Sequence, residues 1–200
     1  MVMAKFAFEN HIPVAISFLM GLGVGTAAGA FNGFLVTKVK LPPFIVTLGT
    51  FNVFTALTLM FAKGRTVRDT EVDPFLLTLG KVIHLGKFNV TYGVLVMIAM
   101  YVILAYALRF TSWGRHVYAT GDDIEAARLA GIQTNRVLMS VYLVAGFIFA
   151  VTAWIVIGRV NAASPNSGQD LNLDSITAVV IGGTSLFGGR GRIIGSLIGA

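Results

Sequence analysis

Long runs without charge are the feature of this sequence that most limits its fold. Residues 12–37, 41–62, 88–108 and 137–158 contain no Asp, Glu, Lys or Arg. Each run is close to the roughly 20 residues that an α-helix needs to cross the hydrocarbon core of a bilayer. A fifth, less regular apolar segment begins near Ile176. The sequence therefore predicts an all-α fold, a polytopic transmembrane helix bundle of about five spans.

Composition supports this fold class. The 200 residues are 56% hydrophobic and only 12% charged, whereas soluble domains carry about 25% charged residues. The first uncharged run follows Lys5 and contains small residues that resemble a signal-peptide cleavage site. It is nevertheless much longer than the roughly 7–15 apolar residues of a signal core. We therefore predict that it is retained as a span.

The charged residues argue against several classes of function. The net charge of +6 comes from short segments between the apolar runs, and no basic run or basic helix face is present to bind nucleic acid. The chain has no cysteine and only three histidines, so a thiolate or histidine-rich metal site is not expected. The glycine-rich stretch 181–192 lacks the Lys-Ser or Lys-Thr pair of a phosphate-binding loop. We predict no catalytic residue, no metal and no cofactor held by this chain.

Membrane orientation is predicted from the basic residues of the short connections. The segment 109–136 is charged and lies between two apolar runs, and we place it in the cytoplasm. The same orientation puts four further basic residues in the cytoplasm, namely Lys38, Lys40, Arg190 and Arg192.

Within segment 109–136, residues 121–131 (GDDIEAARLAG) predict one short helix. Either Thr120 or Asp122 is expected to cap its start, and Asp122 has capping-box spacing to Glu125. Gly131 is expected to end it, and Asp123 with Glu125 places negative charge in the first turn.

The middle of this helix, Ala126 and Ala127, is small enough for another protein surface to approach closely. Leu129 and Ile132 add an apolar edge. The residues alone leave two interpretations open, a solvated connector and a docking helix.

Two other patterns concern the spans. Small residues four apart line one helix face and predict close helix packing in lipid; they are Gly21, Gly25, Gly29 and Gly33, with Gly191, Gly195 and Gly199 near the end. Polar residues inside spans usually face a neighbouring helix or a cavity, and the candidates for a translocation pathway are Asn32, Thr47, Thr50, Asn52 and Thr55. The polar segment 161–174 is predicted to be a surface turn or, alternatively, a docking surface or external gate.

Three blocks of sequence resemble a known family. They are LPPFIVTLGT (41–50), GRHVYATGDDIEAARLAGI (114–132) and LDSITAVVIGGTSLFGGRGRIIGSLIGA (173–200). Together they are similar to the permease subunits of bacterial ABC importers of the monosaccharide branch (ribose, xylose and galactose type), which is related to the branched-chain amino-acid permeases. Family members are longer, so we expect residues 1–200 to form a single permease domain that is partial at both ends.

The resemblance implies a fold like that of type II ABC importers and a role for segment 109–136 as a cytoplasmic coupling loop. Its helix would contact a cytoplasmic ATPase subunit, which binds the ATP. By position the contact residues are Asp122, Asp123, Glu125, Ala126, Ala127, Arg128, Leu129 and Gly131. The family further implies an extracytoplasmic sugar-binding protein, a second permease copy forming a homodimer, membrane lipid around the spans, and a place in the cytoplasmic (inner) membrane.

Other functions remain possible on the residues alone. A branched-chain amino-acid ABC permease would share this architecture. A secondary transporter driven by an ion gradient would need an acidic residue within the membrane, and the four long runs contain none. A structural membrane scaffold would leave the loop helix as a solvated connector.

Overall fold

The computed structural model describes residues 1–9, 12–68, 78–85, 88–185, 188, 189, 191 and 193–200. The chain divides into two compact units, one formed by Met1–Val96 with Tyr142–Ser167 and the other by Met97–Val141 with Gly168–Ala200. The basic residues Arg190 and Arg192, used above to predict orientation, lie outside the described residues, as does His11.

Helices dominate the described chain. In order they are α1 (Val2–Phe8), α2 (Val14–Thr37), α3 (Pro43–Phe61), α4 (Tyr92–Phe110), α5 (Ser112–Asp122), α6 (Ile124–Leu129), α7 (Thr134–Val160), α8 (Gln169–Ile181) and α9 (Ile193–Gly199). A single 3-10 turn, Thr78–Gly80, precedes strands β1 (Val82–Leu85) and β2 (Phe88–Thr91).

Among the described residues, α2, α3, α4 and α7 are long and apolar enough to cross a membrane. The predicted all-α polytopic fold is confirmed. The expected fifth span is instead the shorter helix α8 of 13 residues, which at about 1.5 Å per residue falls well short of the roughly 30 Å hydrocarbon core. The number of full-length spans in the described chain is therefore four.

One expected span also begins later than predicted. The apolar run starts at Phe88, but Phe88–Thr91 pairs with Val82–Leu85 as an antiparallel hairpin, in which Leu85 is opposite Phe88 and Val82 is opposite Thr91. Helix α4 then starts at Tyr92. Uncharged composition alone does not separate a strand from a helix, and the β-branched residues of these two segments favour the strand.

Proline and left-handed residues set the limits of α2 and α3. Helix α2 follows Pro13, and α3 begins with Pro43 in its first turn after Pro42, where a missing amide hydrogen costs little. Lys40, with φ of 61°, turns the chain between the two helices, and Lys63, with φ of 50°, follows α3.

The first unit has a small apolar core around α1. Helix α1 packs against the start of α2, and the core is completed by residues distant in sequence; its buried members are Met3, Ala4, Ala7, Phe8, Val14, Val67, Ile157 and Ala163. Val67 and Ala163 form an isolated antiparallel bridge with two N–H···O bonds of 2.9 Å. This bridge ties the polar segment after α7 to the segment after α3.

Helices α2 and α7 approach each other backbone to backbone. A Cβ atom placed on Gly25 would lie 2.8 Å from the Ala150 Cβ, and one on Gly29 would lie 3.0 Å from the Gly146 Cα. A Cβ on Gly146 would in turn lie 3.0 Å from the Gly29 Cα. At Gly29 and Gly146 neither helix has room for a methyl group, so the crossing at this pair depends on hydrogen side chains on both sides.

The other two glycines of the α2 stripe have different neighbours. Gly21 faces the side chain of Met3 in α1. Gly33 is buried, and its carbonyl oxygen accepts a 2.7 Å hydrogen bond from the Thr37 hydroxyl. The glycines of this stripe therefore contact two different helices, α1 and α7, rather than a single one.

We predict that Gly29→Ala destabilises the protein by about 1–3 kcal/mol, the usual cost of adding a methylene to a filled contact. Its Cβ would meet the backbone of α7, which cannot rotate away. The control is Gly23→Ala on the same helix, where an added Cβ meets no atom within 4 Å. Thermal unfolding of purified protein in detergent should show a lower Tm for Gly29→Ala and an unchanged or higher Tm for Gly23→Ala. Equal Tm values would contradict the close crossing.

Candidate functional site

The charged loop between α4 and α7 folds as two consecutive helices rather than the single helix expected. Helix α5 covers Ser112–Asp122 and α6 covers Ile124–Leu129. Thr111 caps α5, its hydroxyl accepting a 3.3 Å hydrogen bond from the Gly114 amide. The signal for α5 was present in the sequence, since Thr111 is a good N-cap residue.

Asp123 separates the two helices and caps the second. Its backbone is extended, with φ of −150° and ψ of 111°. Its Oδ1 accepts hydrogen bonds from the amides of Glu125 (2.8 Å) and Ala126 (3.0 Å). The expectation that Thr120 or Asp122 caps this helix is wrong. Both belong to α5, where the backbone is helical, whereas an N-cap needs a non-helical residue whose side chain can turn back.

Gly131 ends α6 as predicted. Its φ is +84°, its amide donates to the Arg128 carbonyl at 3.0 Å, and the next amide, of Ile132, donates to the Ala127 carbonyl at 3.0 Å. This pair of bonds is the Schellman arrangement, which needs a left-handed residue after the C-cap. The backbone amides at the start of this six-residue helix and the carbonyls at its end therefore find hydrogen-bond partners in adjacent residues.

The surface of α6 is mixed. Leu129 is 85% exposed and Ile124 is 50% exposed, although both are apolar residues in a polar loop. Glu125 and Arg128 form an exposed ion pair of 2.9 Å. Ala126 is exposed, but Ala127 is only 5% exposed and faces inward. A partner approaching α6 would meet Leu129, Ala126 and the ion pair, with Ala127 beneath them.

Helix α5 is fixed to the beginning of α7. The Trp113 Nε1 donates a 2.7 Å hydrogen bond to the Ser140 hydroxyl, which itself donates to the Val137 carbonyl at 2.7 Å. Thr120, on the inner side of α5, is 2% exposed. Its hydroxyl oxygen has no hydrogen-bond partner in the described part of the chain. These contacts place α6 on a defined support rather than on a loose loop.

A cleft of about 410 Å³ opens beside the end of α6. Its lining combines the backbone turn after α6 with two basic groups; the residues are His116, Ala130, Gly131, Ile132, Gln133, Arg136 and Val137. No acidic residue is among these lining residues.

The candidate pathway residues are placed on two helices. On α3, Thr50 is buried and donates to the Val46 carbonyl at 2.9 Å. Thr47 donates to the Pro43 carbonyl at 3.1 Å, and Asn52 donates to the Leu48 carbonyl at 3.0 Å. Asn32, on α2, has a buried Oδ1 without a hydrogen-bond partner among the described residues. Thr55, the fourth candidate on α3, donates to the Phe51 carbonyl at 2.8 Å. All four α3 side chains thus donate to a carbonyl of their own helix, whereas the buried Asn32 Oδ1 has no partner among the described residues.

The three packing glycines predicted near the end of the chain, Gly191, Gly195 and Gly199, all lie in the second unit. Gly195, on α9, meets the backbone of Gly182 at the end of α8, and a Cβ on Gly191 would lie 2.6 Å from the Thr184 Cγ2. Within the described ranges, no group of three His, Asp or Glu side chains comes together that could hold a metal ion.

Comparison with known proteins gives the chain its family. Residues 1–200 match the family model described as the permease component of the branched-chain amino acid transport system. The fructose import permease protein of Rhizobium meliloti is 46% identical over 202 residues, which cover 100% of this chain and 56% of that protein. The ribose import permease protein of Bacillus subtilis is 39% identical over 190 residues, 95% of this chain and 58% of that protein. No solved structure matches the chain.

A third relative, the autoinducer 2 import system permease protein of an Enterobacter species, is 32% identical over 97% of this chain and 55% of its own length. The chain spans a little over half the length of these curated relatives. The predicted resemblance to import permeases is confirmed, and with its four long apolar helices the chain is a multi-pass protein of the cytoplasmic membrane. It belongs to the family of permease components of branched-chain amino acid transport systems.

Proposed function

We propose that this chain forms part of the membrane pathway of a monosaccharide importer driven by a separate ATPase subunit. The observation that carries the proposal is α6, a six-residue helix capped at both ends that presents Leu129 at 85% exposure. The names of the relatives, fructose and ribose import permeases, support a sugar as the substrate class. In this proposal the chain binds no cofactor and performs no catalysis, because ATP is bound and hydrolysed by the partner.

The ATPase would dock on α6. Burying a leucine side chain contributes about 1.5–3 kcal/mol relative to leaving it in water, so Leu129 provides an apolar contact that has no cover in the described part of the chain. We assign the contact to the residues around it, namely Asp122, Asp123, Glu125, Ala126, Arg128 and Gly131, with Ala127 supporting them from the inner side. The adjacent cleft, with His116 and Arg136, would accept an acidic side chain of the ATPase.

Coupling follows from the stiffness of this arrangement. Helix α6 is capped by Asp123 and Gly131, and α5 is hydrogen-bonded to α7 through Trp113. A displacement of α6 would therefore move the spanning helices, because no flexible loop lies between them. ATP can shift the permease between outward-open and inward-open states only if the ATPase contacts differ between the two states. The chain would act with a second permease copy and an extracytoplasmic sugar-binding protein.

The alternatives differ in what they transport and what drives it. A branched-chain amino-acid permease fits the family description, but the most similar curated relatives cited above are named for sugars. A secondary transporter is disfavoured because the four spanning helices contain no Asp or Glu.

We expect the complete transporter, reconstituted in liposomes with its ATPase and binding protein, to take up radiolabelled fructose or ribose only when ATP is supplied. Uptake should persist when a protonophore and a sodium ionophore remove the ion gradients. Uptake of leucine in place of either sugar would favour the amino-acid alternative. Sugar uptake that stops with the ion gradient would favour the secondary transporter.

The absence of cysteine allows a direct test of orientation and docking. We predict that Ala126→Cys reacts with a membrane-impermeant maleimide only after cells are permeabilised, and that co-expressed ATPase protects it. Ala127→Cys is the matched control, because the neighbouring position is 5% exposed and should react slowly in every condition. Labelling of Ala126→Cys in intact cells would place the loop outside and remove the basis for ATPase docking.

We further predict that Leu129→Asp weakens ATPase binding at least about tenfold, the effect of losing a contact worth more than about 1.4 kcal/mol. Leu129→Met keeps an apolar side chain and should bind the ATPase nearly normally.

Gly131→Arg should lower sugar uptake more than Gly131→Ala, since both place a side chain at φ of +84° but only arginine adds bulk and charge to the docking surface. Affinity measured with purified ATPase, together with uptake, checks both pairs. Normal binding by Leu129→Asp would contradict docking on α6.

A further inference from the structure

Gly188 and Gly189, which lie between α8 and α9, contact the end of α5 directly. A Cβ on Gly121 would lie 2.8 Å from the Gly189 nitrogen, and one on Gly188 would lie 2.7 Å from the Gly121 carbonyl oxygen. A Cβ on Gly189 would lie 2.6 Å from the Asp122 Cα. The two backbones therefore touch with no side chain between them, one residue before the Asp123 cap of α6.

A side-chain hydrogen bond reinforces the same contact. The Tyr118 hydroxyl donates to the Gly191 carbonyl at 3.1 Å, across 73 residues of sequence. Gly188 and Gly189 both have positive φ, +97° and +72°, a conformation that glycine adopts without strain. Glycine at these positions therefore satisfies two requirements at once, the left-handed backbone and the close approach to α5.

Behind these residues, α8 and α9 pack as a hairpin. Gly182 and Gly195 bring the two helix backbones into contact, and Gly199 approaches the backbone of Ala178 one turn further along. Where two helix backbones are in contact, no side chain lies between them whose rotation could absorb a displacement of one helix. Within the second unit, the end of α5 thus contacts residues 188 and 189, Gly191 lies against the Thr184 side chain, and α8 contacts α9 through backbone atoms.

We propose that residues 188, 189 and 191, with Gly121 and Tyr118, form a latch that makes the α8–α9 hairpin move together with the ATPase-docking helix. The latch rests on the proposed function, since it requires that α6 is displaced by an ATPase. Its residues are positioning residues, which neither touch the ATPase surface nor line a pathway. Opening the latch would leave ATPase docking intact and would disconnect the hairpin from it.

Two pairs of variants separate contact from backbone strain. Gly189→Ala adds a methyl group against Asp122 and places it at positive φ, whereas Gly183→Ala, at φ of +78°, imposes the same strain in a position with no atom within 4 Å. Gly121→Ala adds a methyl group against Gly189 within a helix, whereas Gly23→Ala adds one within a helix in open space. Gly189→Ala and its control thus share the positive φ, and Gly121→Ala and its control share a helical backbone, while the atoms that the new methyl group meets differ within each pair.

The variants are compared in the complete reconstituted transporter, measuring ATP hydrolysis and uptake of radiolabelled fructose or ribose together. For Gly189→Ala and Gly121→Ala we expect uptake to fall by about tenfold, within the usual range of coupling between sites. ATP hydrolysis and the amount of assembled complex should stay within about twofold of the native values, as a loss of coupling without a loss of docking requires. Gly183→Ala and Gly23→Ala should transport normally.

The outcomes distinguish the latch from the proposed function. If Gly131→Arg lowers uptake while Gly189→Ala and Gly121→Ala match their controls, the latch is wrong and ATPase docking on α6 stands. If Gly131→Arg also transports normally, the docking proposal itself fails. If the glycine variants reduce assembly and hydrolysis in parallel with uptake, the contact is structural only and the latch is likewise rejected.

A distance measurement tests the latch without transport. Spin labels on Ile124→Cys in α6, outside the assigned ATPase contact, and on Ile198→Cys in α9, both exposed positions, report the separation of the two elements within one permease copy when labelled protein is diluted with unlabelled subunit. A latched hairpin should give one narrow distance distribution with and without ATP. Gly189→Ala should broaden it, and Gly183→Ala should not. A distribution that is equally narrow in Gly189→Ala would overturn the proposal.

Discussion

Close approach of helix backbones at glycine is the interaction on which this structure depends. In a bilayer, apolar side chains gain nothing by leaving lipid for one another, so helices associate through van der Waals contact and hydrogen bonds. Gly25 on α2 lies against the Ala150 methyl group of α7 and Gly29 lies against Gly146, at distances that leave no room for a methyl group on either α2 glycine. Many large apolar side chains of the spanning helices are exposed, which lipid tolerates because its tails are equally apolar.

The same interaction recurs outside the spans, where it has a different consequence. Gly121 meets Gly189, and Gly182 meets Gly195, so the charged loop and the α8–α9 hairpin are joined through main-chain atoms. Flexible side chains at such a junction would allow the two elements to slide. Because the contact is made by backbone on both sides, its geometry is set by the helices themselves and leaves little freedom.

The loop helix α6 is small but well determined. Asp123 satisfies amides at its start and Gly131 satisfies carbonyls at its end, which a six-residue helix needs because nucleation is costly and propagation is short. Leu129 is a highly exposed apolar side chain in an otherwise polar loop. The docking proposal therefore has two supports. The relatives named above are import permeases, and a stiff, exposed helix between two spans supplies a physical mechanism.

Composition and hydrophobic run length determined the fold class, because a bilayer admits few alternatives to helices for uncharged segments of this length. Local chemistry also determined that Gly131 ends α6, since a left-handed residue is needed there and glycine supplies it at no steric cost. The sequence could not decide that Asp123 rather than Asp122 is the cap, because both are good caps and the choice follows from where α5 ends. Nor could it show that Ala127 faces inward or that Gly189 lies against Asp122. Those facts depend on which distant backbones come into contact, and only the tertiary structure decides that.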